Sequence, residues 1–174
     1  MPRFHYFPGD DLSTAELSAA CLDGHLVAVG EGYIPADVPE TSWMRARSLA
    51  PVLGSDLAAT LRTAAWVHGV IDTPPVRLEV QRRSARRGKI IPSRRLSYRD
   101  VRIPSADLDM FGDVAVSSVA RTIADLAREA PEDPAFTALV AEYPSALHAA
   151  VTWLDTHAHR PGIRAARALL RHAA

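Results

Sequence analysis

Cysteine and lysine are almost missing from this 174-residue sequence, which holds one of each, Cys21 and Lys89. A single cysteine excludes an intramolecular disulfide and the paired thiols that structural zinc and iron–sulfur sites require. A single lysine excludes the common metal-dependent nuclease arrangement, a carboxylate two residues before a lysine, because Arg87 stands at that spacing before Lys89. Long apolar runs are lacking as well. Although 48% of the residues are hydrophobic, no segment approaches the roughly 20 uninterrupted apolar residues of a membrane helix. Met1 to Asp11 also lacks the basic-then-apolar order of a signal peptide. These absences lead us to expect a cytoplasmic protein with no membrane partner, no metal and no other cofactor.

The formal net charge is zero, yet charge is strongly segregated along the chain. Met1 to Met44 carries one base against seven acids, a net of −6. Arg77 to Arg102 carries ten bases against two acids, a net of +8, so half of the positive charge sits in 26 residues. Ile103 to Asp155 returns to −7, with two bases and nine acids. Every base but Lys89 is arginine, whose planar guanidinium grips carboxylate and phosphate alike.

Ser13-Thr14-Ala15-Glu16 forms a capping box, which predicts a short helix to about Asp23, stopped by Gly24. His25 to Val29, Gly30-Glu31-Gly32 and Tyr33-Ile34 predict a hairpin whose glycines supply the positive φ of a tight turn. Beyond the linker Pro35 to Glu40, Thr41 or Ser42 can cap a helix to about Leu53, with Trp43, Ala46, Leu49 and Ala50 on one face. A second helix is expected from about Asp56 to His68, closed by Gly69. Alternation at Val76 to Val80 and at Leu96 to Ile103 predicts half-buried strands on either side of a basic loop. Ala106 to Phe111 and Val114 to Val116 add strands around Gly112-Asp113, and an antiparallel sheet is the economical pairing. Ser117 or Ser118 then caps a helix through Arg128. Further helices follow over about Pro134 to Ala158, broken at Pro144, and over Gly162 to His172.

The basic loop is the first candidate site, comprising Arg82, Arg83, Arg86, Arg87, Lys89, Arg94 and Arg95. Clustered guanidiniums can neutralise phosphates and release counterions, or they can hold an acidic protein surface. A solvated hairpin in an arginine-biased proteome is the plain alternative. The helix and hairpin of Ser13 to Ile34 have the order of a recognition helix and wing. That helix offers Glu16 and Asp23 and no base, the opposite of what a phosphate backbone attracts. For catalysis, Gly54-Ser55-Asp56 faintly matches the opening of a nucleotidyltransferase motif, and Asp107 with Asp109 has the carboxylate spacing used for magnesium. The two pieces lie about 50 residues apart, and no catalytic residue is assigned. His68, ending an apolar helix, is expected as a helix C-terminal partner or a core histidine rather than a base.

Two segments carry a family likeness: Arg62-Thr-Ala-Ala-Trp-Val-His-Gly69 and Val116-Ser-Ser-Val-Ala-Arg-Thr-Ile-Ala-Asp-Leu-Ala127. Asp23-Gly-His-Leu-Val27 with Gly30-Glu-Gly-Tyr-Ile34 upstream, and Pro161-Gly-Ile-Arg-Ala-Ala-Arg167 downstream, extend it. From about Leu12 onward the chain resembles actinobacterial AbiEi-type antitoxins. That resemblance implies an N-terminal winged helix that binds the operon's own promoter, and an α/β domain that counteracts a nucleotidyltransferase toxin without catalysis of its own. The function it implies is a non-enzymatic, antitoxin-like transcriptional regulator, with DNA and a cognate nucleotidyltransferase toxin as partners. A protein-interaction domain without nucleic-acid binding is the alternative, and a magnesium-dependent nucleotidyltransferase is a distant third. The sequence departs from the family pattern at its start, where the first helices of the winged module are missing and the retained part is acidic.

The expected fold is α+β. Residues 1–36 should form a reduced winged-helix-like segment, and residues 37–174 an AbiEi-like domain of short antiparallel strands flanked by helices. The motif residues also have an architectural account: Ala64, Ala65 and Gly69 let helices approach closely, while Thr122 and Asp125 can satisfy neighbouring backbone or Arg121.

Overall fold

The computed structural model describes residues 5–85 and 93–173. Helix α1, Thr14–Leu22, opens on the expected capping box. The Glu16 amide donates to the Ser13 hydroxyl at 3.3 Å and the Ser13 amide donates to the Glu16 carboxylate at 2.7 Å. Strands β1, Leu26–Val29, and β2, Gly32–Pro35, form the antiparallel hairpin, and Tyr6 pairs with Tyr33 along its outer edge. Gly30 is required there for two reasons. Its φ is +56°, and a Cβ would collide with the Ser48 hydroxyl. The hairpin is not set apart from the rest of the chain, because Val29 and Ile34 share one core with Met44, Leu49, Leu57, Trp66 and Val80.

Helix α2, Ser42–Ser48, is capped by Thr41, and α3, Ala50–Leu53, follows after a break at Leu49 with Pro51 in its first turn. Trp43 departs from expectation: it is 48% exposed and lies beside His5 and Arg47 at the surface. A larger departure follows at Asp56 to His68, expected as one helix. Leu57–Ala59 is a strand, β3, and the helix α4 is confined to Leu61–Val67. Alanine favours a helix locally, but β3 is the central strand of the sheet and is fully buried, so pairing on both edges overrides propensity. The chain switches from strand to helix at Leu61, whose φ of +50° is strained for a residue with a Cβ. Its side chain is buried in the helical core.

The remaining strands are β4, Leu78–Arg82; β5, Leu96–Arg102; β6, Leu108–Phe111; and β7, Val114–Ser117. Together they make a five-stranded sheet of order β5-β4-β3-β7-β6. The expected short antiparallel strands are present as the β3–β4 and β6–β7 pairs. The sheet is mixed, however, because β3 pairs with β7, and β4 with β5, in parallel. The basic segment between β4 and β5 is therefore a return connection and not a hairpin loop.

Helices α5, Val119–Glu129; α6, Pro134–Glu142; α7, Leu147–Thr156; and α8, Ile163–Ala173, complete the fold close to their expected bounds. They enclose a second core around Ile123, Leu126, Leu139, Leu154 and Leu170. Helix α4 joins the two cores, with Leu61 and Ala65 facing the helices and Ala64, Trp66 and Val67 facing the sheet. The architecture is α+β, with helices flanking short strands. Among the described residues no helix is long and apolar enough to cross a membrane.

Candidate functional site

Parallel pairing decides where the basic residues go. Leu78 stands opposite Leu96, which brings Arg77 beside Arg94 and Arg95 at one end of the β4–β5 pair. Arg82 stands opposite Arg102 at the other end, after a register shift at Gln81/Arg82. The guanidiniums thus collect at two ends of a strand pair.

The candidate residues have different fates. Arg82 is buried and committed: its Nε donates to Asp100 at 3.0 Å, and its Nη1 donates to the carbonyls of Ser84 at 2.6 Å and Ala85 at 3.1 Å. It anchors the start of the connection. Arg83 is half-buried and donates from Nη1 to the Asp113 carbonyl at 3.2 Å. Arg86, Arg87 and Lys89 lie outside the described residues. Arg95 meets Glu31 of the β1–β2 turn at 2.5 Å while remaining 62% exposed. Arg94 is exposed, and its side chain enters no ion pair or hydrogen bond among the described residues.

Three further arginines belong to the same surface. Arg77 donates to the Leu96 carbonyl at 2.9 Å, Arg99 pairs with Glu129 of α5, and Arg102 is exposed without an ion pair among the described residues. Their signal was the overall charge excess of Arg77 to Arg102; only the parallel register joins them to the loop arginines. The described residues of that segment carry seven bases and two acids, and including Glu31 and Glu129, which come from outside it, brings their net charge from +5 to +3. Among the described residues the surface remains basic after its own acids are counted.

A second cluster is buried. Arg121, 2% exposed, pairs through Nη1 with Asp107 at 2.5 Å and through Nε with Asp125 at 2.7 Å. Asp125 also accepts from Arg128 at 2.8 Å. The Trp153 indole donates to Asp107 at 3.0 Å, and the Arg121 guanidinium lies 4.3 Å from the ring centroid. Burial raises the Asp125 carboxyl above the ordinary carboxylate range, outweighing the pull of Arg121 and Arg128. Thr122 donates to the Ser118 carbonyl at 2.9 Å. This network fastens the segment before β6 and helices α5 and α7 together, so the motif of Val116 to Ala127 is architectural, as its residue types implied.

The same network accounts for Asp107, whose carboxylate is engaged by Arg121 and Trp153 rather than paired with Asp109 for magnesium. No group of three His, Cys, Asp or Glu side chains that could hold a metal ion occurs among the described residues. Gly54-Ser55-Asp56 is the turn into β3, and the Asp56 carbonyl accepts from the Arg83 amide at 2.8 Å.

No curated protein gives a significant match to the chain. The family model of the AbiEi antitoxin C-terminal domain matches residues 57–171, from the first residue of the central strand β3 into the last helix, α8. This span contains the five-stranded sheet, the basic strand pair and the buried arginine network, and it identifies an antitoxin or regulator role. The chain belongs to the AbiEi antitoxin family through this C-terminal domain.

Proposed function

We propose that the chain is an antitoxin-type transcriptional regulator that acts by binding, without a catalytic step of its own, and that it contacts nucleic acid through the basic ends of the β4–β5 pair. The observation that carries this reading is that Arg94 and Arg102 remain exposed and unpaired among the described residues, while the described residues of the segment and their partners Glu31 and Glu129 keep a net charge of +3. Arg77, Arg83 and Arg95 extend the surface, and Arg86, Arg87 and Lys89 add charge in the connection between them. Guanidiniums gathered in this way supply the sequence-independent part of nucleic-acid affinity. Helix α1 keeps the order of a recognition helix before a wing, but its Glu16 and its lack of any base make it a weak approach to phosphate.

A second reading is favoured by a different observation. Arg82, Arg95 and Arg99 already pair with carboxylates, giving the surface the mixed charge of a protein interface, and an acidic face of a cognate toxin would then be the partner.

Fluorescence anisotropy with labelled duplex DNA separates the two. Arg94→Glu with Arg102→Glu should abolish DNA binding while leaving the melting temperature within a few degrees of the parent, because neither side chain is buried. Unchanged DNA binding in that double variant would exclude this surface as the nucleic-acid contact.

A further inference from the structure

Away from the basic strands, the C-terminal ends of α4 and α6 meet over a cleft of about 290 Å³ lined by His68, Gly69, Val70, Ala138, Glu142 and Tyr143. The carbonyls at the end of α4 are engaged, Trp66 and Ile71 by the Arg45 guanidinium and His68 by the Tyr143 hydroxyl, so the acceptors left to the cleft are side chains. Glu142 adds a full negative charge, and among the described residues no Lys or Arg lines the cleft. The described lining therefore offers the Glu142 carboxylate and the His68 imidazole as acceptors and no cation.

His68 is held in a defined state. Its Nε2 lies 2.8 Å from the Ser117 carbonyl oxygen, and since a carbonyl can only accept, Nε2 carries the hydrogen and Nδ1 keeps its lone pair. Nδ1 has no partner among the described residues. Tyr143 packs its ring edge-on to the imidazole at 6.4 Å and donates its hydroxyl to the His68 carbonyl at 2.7 Å. Burial pushes the imidazole below its ordinary range, against the smaller opposing effects of the Ser117 carbonyl and Asp109, so the ring is neutral near pH 7. A neutral imidazole anchored through one nitrogen presents the other as an acceptor.

We propose that this cleft binds an alkylammonium group, with His68 Nδ1 and the Glu142 carboxylate accepting two of its three N–H donors and the third left to solvent. A metal ion suits the lining less well, because no three metal-ligating side chains come together among the described residues. The volume is at the low end for small-molecule sites, about 300–1,000 Å³, which matches a lysine-sized ammonium better than a nucleotide. The site is independent of the basic surface, and its test does not depend on nucleic-acid binding.

The test is an NMR titration of the full chain, following the His68 ring and Tyr143 resonances as n-butylammonium chloride replaces sodium chloride at constant ionic strength. A saturable shift at both residues is expected, absent when neutral n-butanol is used. Glu142→Gln, a change at an exposed position, should weaken binding about tenfold, as loss of one charge-assisted hydrogen bond does. A second arm uses Nα-acetyl-lysine methylamide. Saturable binding of that compound assigns the site to a lysine side chain of a protein partner, whereas binding of butylammonium alone assigns it to a free amine. No saturable shift with either compound, or equal affinity in Glu142→Gln, overturns the proposal.

Discussion

Replacing Asp125 with alanine would leave Arg121 with half of its buried charge partners. Asp125 is 1% exposed and accepts from Arg121 at 2.7 Å and Arg128 at 2.8 Å. Arg121 would keep only Asp107, at 2.5 Å. Removing one partner of a buried ion pair costs about 3–5 kcal/mol, because the remaining charge is left uncompensated. The surviving Asp107 contact places the expected loss near the lower end, about 3 kcal/mol. For a chain of this length that is about 6–12 °C in melting temperature, or about 1–1.5 M in urea midpoint at an m value of about 2–3 kcal/mol/M. Asp125→Asn should cost less, since an amide oxygen can still accept and burial already disfavours the charged carboxylate. Urea unfolding followed by tryptophan fluorescence measures both, with Trp153 inside the network. A loss below about 1 kcal/mol in Asp125→Ala would refute the reasoning, because Asp107 alone would then satisfy Arg121.

Two further outcomes follow from local geometry. Gly162, with φ of +79°, would place a Cβ 2.9 Å from the Arg128 carbonyl oxygen. Gly162→Ala should therefore lower stability by about 1–3 kcal/mol, and an unchanged thermal midpoint would contradict the close approach of α8 to α5. His68 binds its proton less readily in the fold than at the ordinary value of 6.5, mainly through burial, and His5 is shifted in the same direction. The unfolded chain therefore takes up these protons first, so their contribution to stability is complete above pH 6.5 and is lost as the pH falls through the folded value. Urea midpoints should decline from pH 7 to pH 5, and less steeply in His68→Gln; an identical slope in that variant would exclude His68 as a contributor.

Features written in local chemistry were legible in the sequence. The Ser13–Glu16 capping box, the Gly30 turn, the Gly112 turn and the Ser118 cap each act within a few residues, and each lies where expected. What was not legible depends on distant partners. Leu57-Ala-Ala59 carries no strand pattern of its own and becomes the central strand only because β4 and β7 pair with its two edges. The parallel register of β4 and β5 is likewise invisible in alternation, which predicts strands but not their direction. The candidate site was legible as a charge excess, but not in its internal division. Asp100 draws Arg82 inward and Glu31 engages Arg95 from a hairpin 64 residues away. Asp107 stood out as half of a spacing, but its role comes from Arg121 and Trp153, which the chain supplies from α5 and α7.

The salt dependence of duplex-DNA binding tests the proposed contact most directly. If the basic ends of β4 and β5 engage about six phosphates, affinity should fall by about a thousandfold between 50 and 200 mM salt. Absence of binding at 50 mM salt, or an affinity that does not change across that range, would contradict a nucleic-acid role for this surface.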